Sequence, residues 1–297
     1  MTAHGETSGT WERVGDTRDI LGESAFWSVA EQALYWVDIR GHFIRRRGWR
    51  DGNVQSWTMP ELVGCIAPRS RKPGLIVALR SAIAFFDPAT GTLERIDAPH
   101  AAEPEMRFND GRCDRQGRFW VGSMDDVGRG PVGALYRFDG ARLTRVIEGV
   151  AVPNSLCWSP DGGTLYFADG NEPVIWSFPF DKATGEPGDR RLFARLPDGA
   201  GIPDGATVDK HGFLWSAQYG GSVVTRYAPD GSVERVLPVP VTQPACCCFG
   251  GPDMRTLFVT TATRRLSAEA LERQPLAGAL LSLHTDIEGY PDSPFDG

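Results

Sequence analysis

A chain of 297 residues can bury a large core, as one big all-β unit or as two smaller domains. Its 41% hydrophobic and 23% charged residues are ordinary for a globular protein, and 35 Gly, 22 Pro and 9 Trp favour many short strands and tight turns over long helices. A net charge of −7 argues against a nucleic-acid or anionic-membrane partner, either of which would favour a basic face.

In chain order, the lead at 1–10 is polar and lacks the apolar core of a signal peptide. No apolar run reaches the length of a membrane span, and six cysteines in apolar surroundings with no disulfide framework lead to the expectation of a reducing cytoplasm. A lone strand is predicted at 11–14. Six similar units follow, carrying Trp36, Val77, Trp120, Tyr166, Trp215 and Phe258 at a period of roughly 40 to 50 residues. The first runs from Glu23 through Leu34-Tyr35-Trp36 to Phe43-Ile44-Arg45, and the second from Val63 through Leu75-Ile76-Val77 to Phe85-Phe86-Asp87. The third carries Asn109 and Trp120, the fourth Asn154 and Tyr166, and the fifth Asp204 and Trp215. The last begins at Cys246-Cys247-Cys248-Phe249 and ends at Leu280-Leu281-Ser282-Leu283, with a helix predicted at 267–274 as a loop excursion. Asp87-Pro88, Asp161-Gly162 and Asp230-Gly231 supply turn chemistry between the apolar runs. About four strands per period predict an all-β, six-bladed β-propeller filling 1–297 as a single domain, with a Pro-, Gly- and Asp-rich tail from 286 that carries no site signal.

The six cysteines, Cys65, Cys113, Cys157, Cys246, Cys247 and Cys248, include three in a row and no Cys-x-x-Cys pair. Neighbours on a strand face opposite ways, so these residues read as small core residues rather than as a disulfide framework or thiolate metal site. The five His make no paired metal spacing and no Gly-x-Ser-x-Gly elbow is present, which leaves His-dependent hydrolysis without support.

Aligned on their hairpins, Glu23, Asn109, Asn154 and Asp204 occupy one position of the repeat, each followed five residues later by Ser28, Asp114, Ser159 or Asp209. A single Asn or Asp before a strand is usually a turn residue bonding its own backbone. Four oxygen-bearing side chains at one repeat position are not explained that way. The innermost strand of each blade lines the central channel, so residues just before it meet at the channel mouth. Gly64 and Cys246 stand near this position in blades two and six, which makes the polar ring one-sided. Two carboxylates and a carboxamide, from Glu23, Asn154 and Asp204, suit a hard divalent cation and leave room for substrate. Asp114, Asp161, Asp209 and Asp253 lie on outer hairpin turns and read as structural, and His211 reads as a surface residue.

The segments Leu21-Gly22-Glu23-Ser24, Arg107-Phe108-Asn109-Asp110-Gly111, Val152-Pro153-Asn154-Ser155, Ile202-Pro203-Asp204-Gly205 and Cys248-Phe249-Gly250-Gly251-Pro252-Asp253, in that order and at blade spacing, resemble the SMP-30/gluconolactonase/luciferin-regenerating family. The resemblance spans nearly the whole chain. It implies one divalent metal in the channel (Ca²⁺, Zn²⁺, Mn²⁺, Mg²⁺ or Fe²⁺), held by Glu23, Asn154 and Asp204. It also implies a substrate-facing Arg107 and Asn109, and hydrolysis of an aldonolactone to its aldonic acid with Asp204 as general base. Asp110 is expected to hold its loop. The stretch Asp125-Asp126-Val127-Gly128-Arg129-Gly130 is shorter than in animal members and brings no clear lid acid. Alternatives are a phosphotriesterase-like hydrolase on the same fold and metal, and a non-catalytic metal-binding propeller. The expected partner is a small sugar lactone, and a closed propeller is expected to be a monomer.

Overall fold

The computed structural model describes residues 9–297; residues 1–8, with most of the polar lead and its reading as no signal peptide, lie outside the described residues. Six antiparallel sheets follow one another along the chain, each a meander that starts at the channel and steps outward. Their innermost strands are Gly22–Ser28, Val63–Pro68, Met106–Cys113, Pro153–Trp158, Ile202–Val208 and Pro244–Gly250. The second strand of each blade is apolar and buried on both faces, as in Ala33–Asp38 and Leu75–Leu79, because it is packed between neighbouring blades. Outer strands such as Thr92–Asp97 are mostly exposed. The fourth sheet has a fifth strand, since Val174–Asp181 pairs with both Glu186–Pro187 and Arg191–Arg195.

The ring is visible in how the core is divided. Six major apolar clusters each join two adjacent blades, and the sixth joins Trp27, Leu34 and Trp36 of blade one to Cys246, Cys248 and Phe258 of blade six. The consecutive cysteines show the strand alternation directly. Cys246 and Cys248 pack toward blade one, while Cys247 packs toward blade five. All six cysteines are buried and free. Trp36, Trp120, Trp158 and Trp215 are fully buried between blades, and truncating any one of them should cost roughly 3–5 kcal/mol.

The strand predicted as lone at 11–14 is not alone. Glu12–Arg13 pairs with Leu281–His284, so the N-terminal segment supplies the outermost strand of the last blade and clasps the ring shut. The predicted helix is present as Ala268–Arg273, with the Ser267 side chain accepting from the Ala270 N–H at its N-cap. The tail is structural. Phe295 is fully buried against Phe138 and Phe85, its N–H donates to Pro68 O, and Asp292 pairs with the half-buried Arg112. Tyr290 N–H donates to Val208 O, so the tail seals the end of the channel where the innermost strands finish. Among the described residues, no helix is long and apolar enough to cross a membrane.

Candidate active site

Each innermost strand breaks its register with the second strand near the shared repeat position. The breaks fall between Glu23 and Phe26, Val63 and Cys65, Phe108 and Gly111, Asn154 and Cys157, Pro203 and Ala206, and Pro244 and Cys247. The polar residues therefore sit inside the innermost strands, at bulges, and not just before them as the sequence reading placed them. A bulge turns a side chain away from the sheet's alternation. Ser24 and Ser155, directly after Glu23 and Asn154, hold the left-handed backbone (φ 50° and 57°), and their hydroxyls latch onto Ile66 N–H and Asp204 O of the next blade. Gly64 has to be glycine for a different reason. A Cβ there would lie 2.5 Å from Phe108 O and 2.7 Å from Asn109 O, so the second blade could not approach the third.

Glu23, Arg107, Asn109, Asn154 and Asp204 all line one cavity of about 100 Å³ at the start of the innermost strands. The two asparagines do not bond their own turns. Asn109 Nδ2 donates to Asn154 Oδ1 and to Pro153 O, both at 2.8 Å, and Asn154 Nδ2 donates to Pro203 O at 3.3 Å. A chain of amides thus runs from blade three through four to five. Asp110 accepts from its neighbour Gly111 N–H and from Leu156 N–H of blade four, both at 2.9 Å, which is the loop-holding role expected of it.

Arg107 is 2% exposed and tightly held. Its Nη1 donates to Asn109 Oδ1 at 2.6 Å and to Phe108 O at 3.0 Å, and its Nε donates to Asp126 Oδ1 at 2.7 Å. Nη2 has no partner among the described residues, so it is the donor left for a guest in the cavity. Arg40 from blade one binds the same Asp126 oxygen. Burial alone would push the Asp126 carboxyl up, but the two guanidiniums outweigh it and hold it below the usual range. The loop at 125–130 therefore does carry an acid that matters, and it grips Arg107.

The electrostatics of Glu23 and Asp204 are different. Neither has an ion-pair partner among the described residues, and both line the same cavity. Burial first, then the charges of Asp204 and Asp110, push Glu23 well up. Burial and then Asp110 push Asp204 up, against a smaller opposing pull from Arg129. Two adjacent carboxylates without a counter-cation are costly when buried. An all-oxygen set of Glu23, Asp204 and the Asn154 amide oxygen is what a hard divalent cation requires, and such an ion would supply the missing charge.

The cavity wall also holds residues that the repeat did not mark: Arg129, Tyr219, Gln243, Arg264 and Arg265. Gln243 Oε1 is buried without a partner, and burial followed by the Asp204 charge pushes the Tyr219 hydroxyl up to about 12. Most of these residues sit in or beside loops that follow a blade's second strand. An antiparallel meander returns that strand to the face where the first began, so such loops overhang the site. Polar residues just after each second strand were the signal available for finding them.

Comparison with known proteins places the site in context. The sequence model described as SMP-30/Gluconolactonase/LRE-like region matches residues 21–263. The chain is 40% identical over 281 residues to a 6-deoxy-6-sulfogluconolactonase of Pseudomonas putida, covering 94% of this chain and 96% of that one. It is 40% identical over 293 residues to an L-arabinolactonase of Azospirillum brasilense, covering 96% and 95%. The crystal structure of a calcium-binding protein, regucalcin, from Agrobacterium tumefaciens superposes with a TM-score of 0.93 at 28% identity, covering 97% and 98%.

Proposed function

This chain belongs to the SMP-30/gluconolactonase/LRE-like family, and on that premise we propose that it is a divalent-cation-dependent lactonase opening an aldonolactone to the aldonic acid. One observation carries the reading: two carboxylates, the half-buried Glu23 and the buried Asp204, line one cavity with the Asn154 amide and have no basic ion-pair partner, and the same cavity presents a free guanidinium edge. Its relatives named as sugar lactonases support the substrate class, and the calcium-binding regucalcin supports a divalent ion.

Glu23, Asn154 and Asp204 would hold the cation, which when bound supplies Lewis-acid polarisation of the lactone carbonyl. Asp204 Oδ atoms take the proton of the attacking water, the role of a general base, and return it to the ring oxygen as that C–O bond breaks. Arg107, clamped by Asp126 and Asn109, turns Nη2 toward the substrate and orients its carbonyl or hydroxyl oxygens. Asn109 keeps Asn154 Oδ1 and Arg107 in register, because its amide bonds both.

The test follows acid release with a pH indicator. Chelator-treated protein is given glucono-, galactono-, arabinono- and xylonolactone, and each divalent metal is added back in turn. Hydrolysis restored by metal is the expected result. No hydrolysis by any pairing, with metal still raising Tm, would point to a binding propeller instead.

A further inference from the structure

Five arginines converge at the open end of the channel in a chain whose net charge is −7. Arg107, Arg129, Arg264 and Arg265 line the cavity, and Arg40 joins them through Asp126. Asp126 offsets one of these charges, and a cation at Glu23 and Asp204 would occupy those two carboxylates. Arg129, Arg264 and Arg265 form neither an ion pair nor a side-chain hydrogen bond among the described residues, and Arg129 Nε is buried without a partner. Arg129 and Arg265 also hold the left-handed backbone, at φ 54° and 62°, which long side chains adopt rarely. Burial, followed by the charges of Arg40, Arg265 and Arg107, pushes Arg264 down to about 10. These cations are therefore gathered against their mutual repulsion. A neutral sugar lactone gives no return for that, since its hydroxyls can be met by uncharged groups. A fixed anion does, through charge-assisted and bidentate hydrogen bonds.

Resting on the lactonase reading, we infer that the preferred lactone carries a second, anionic group on the carbon chain away from the ring carbonyl, and that Arg129, Arg264 and Arg265 bind it. The carbonyl end belongs beside Glu23, Asn154 and Asp204, so the anion lies toward the exposed Arg265. A tetrahedral phosphate or sulfonate and a planar carboxylate share this chemistry.

The test compares kcat/KM for gluconolactone with that for its 6-phosphate, its 6-sulfonate analogue and a glucarolactone bearing a C6 carboxylate. Wild-type protein, Arg264→Gln and Arg129→Gln are measured at low and high salt. The charged lactones should be favoured at low salt, the advantage should shrink with salt, and each Gln variant should cut the charged-to-neutral ratio roughly tenfold. Whichever anion is favoured most separates the tetrahedral from the planar source. A second arm titrates glucitol 6-phosphate against glucitol by calorimetry, where only the phosphate should bind and Arg264→Gln should weaken it. Gluconolactone turned over as well as the charged lactones, with a ratio the variants leave unmoved, would overturn the inference and spare the lactonase reading. No turnover of any lactone would overturn the lactonase reading, and the inference with it.

Discussion

At the scale of single residues, the site depends on a few side chains with distinct tasks. Asp204 is asked both to hold a cation and to take a proton, so Asp204→Ala is expected to lower kcat by about a thousandfold or more and to weaken metal binding. Near-normal turnover in that variant would sink the assignment. Asp126 touches no substrate in this reading but holds Arg107 by its Nε. Asp126→Asn keeps the shape and loses the charge, leaving Arg107 less well aimed. We expect KM to rise about tenfold with a smaller change in kcat, since a charge-assisted contact of about 1.5–3 kcal/mol is weakened, not removed. An equal fall in kcat with KM unchanged would instead put Asp126 in the chemistry.

At the scale of the blade, the recurring device is an aspartate at the hairpin after the innermost strand. Asp209 accepts from His211 N–H, Phe213 N–H, Trp215 Nε1 at 3.0 Å and two nitrogens of Arg226, all while fully buried. Asp114 does the same for Gln116 N–H, Arg118 and Trp120 Nε1 at 2.9 Å. Where the repeat has serine, Ser159 Oγ accepts from Thr164 N–H at 3.0 Å and closes the hairpin, and the second strand carries Tyr166 in place of the tryptophan. The turn aspartates are thus structural, as expected from their positions. Asp209→Ala leaves the Trp215 indole N–H and the Nε of Arg226 without their acceptor, with Glu234 the one carboxylate still paired to Arg226, and should cost roughly 3–5 kcal/mol in urea unfolding. A loss below about 1 kcal/mol would show that water enters to replace the carboxylate.

At the scale of the whole molecule, stability and cation binding are linked through the channel. In the folded chain Glu23 and Asp204 hold their protons to higher pH than they do unfolded. Above that range both are ionised in either state, and the metal-free fold bears the penalty of two adjacent buried charges. Acidification relieves it, so the metal-free protein gains stability from this pair as pH falls. A bound cation relieves the same penalty wherever the pair is ionised. The rise in Tm on adding Ca²⁺ or Mn²⁺ to chelated protein should therefore grow as pH is raised and shrink as it is lowered, as protons compete for the same oxygens. A rise in Tm that does not change with pH would place the ion elsewhere. The ring transmits such effects because adjacent blades share each apolar cluster, with the Glu12–Arg13 clasp and the buried Phe295 closing its two weak points.

The period of the marker aromatics and the shared position of Glu23, Asn109, Asn154 and Asp204 were legible in the chain itself. Both follow from repetition: a blade cannot bury its faces alone, so each repeat must carry the same apolar strands, and equivalent positions must meet at one axis. What no repeat encodes had to come from the tertiary structure. Asp126, Arg129, Arg264 and Gln243 lie in or beside loops of unequal length and composition, and only closure of the ring brings them over one cavity. The same closure turned a lone N-terminal strand into the edge of the last blade and a featureless tail into the seal of the channel, because a partner hundreds of residues away leaves no local pattern to read.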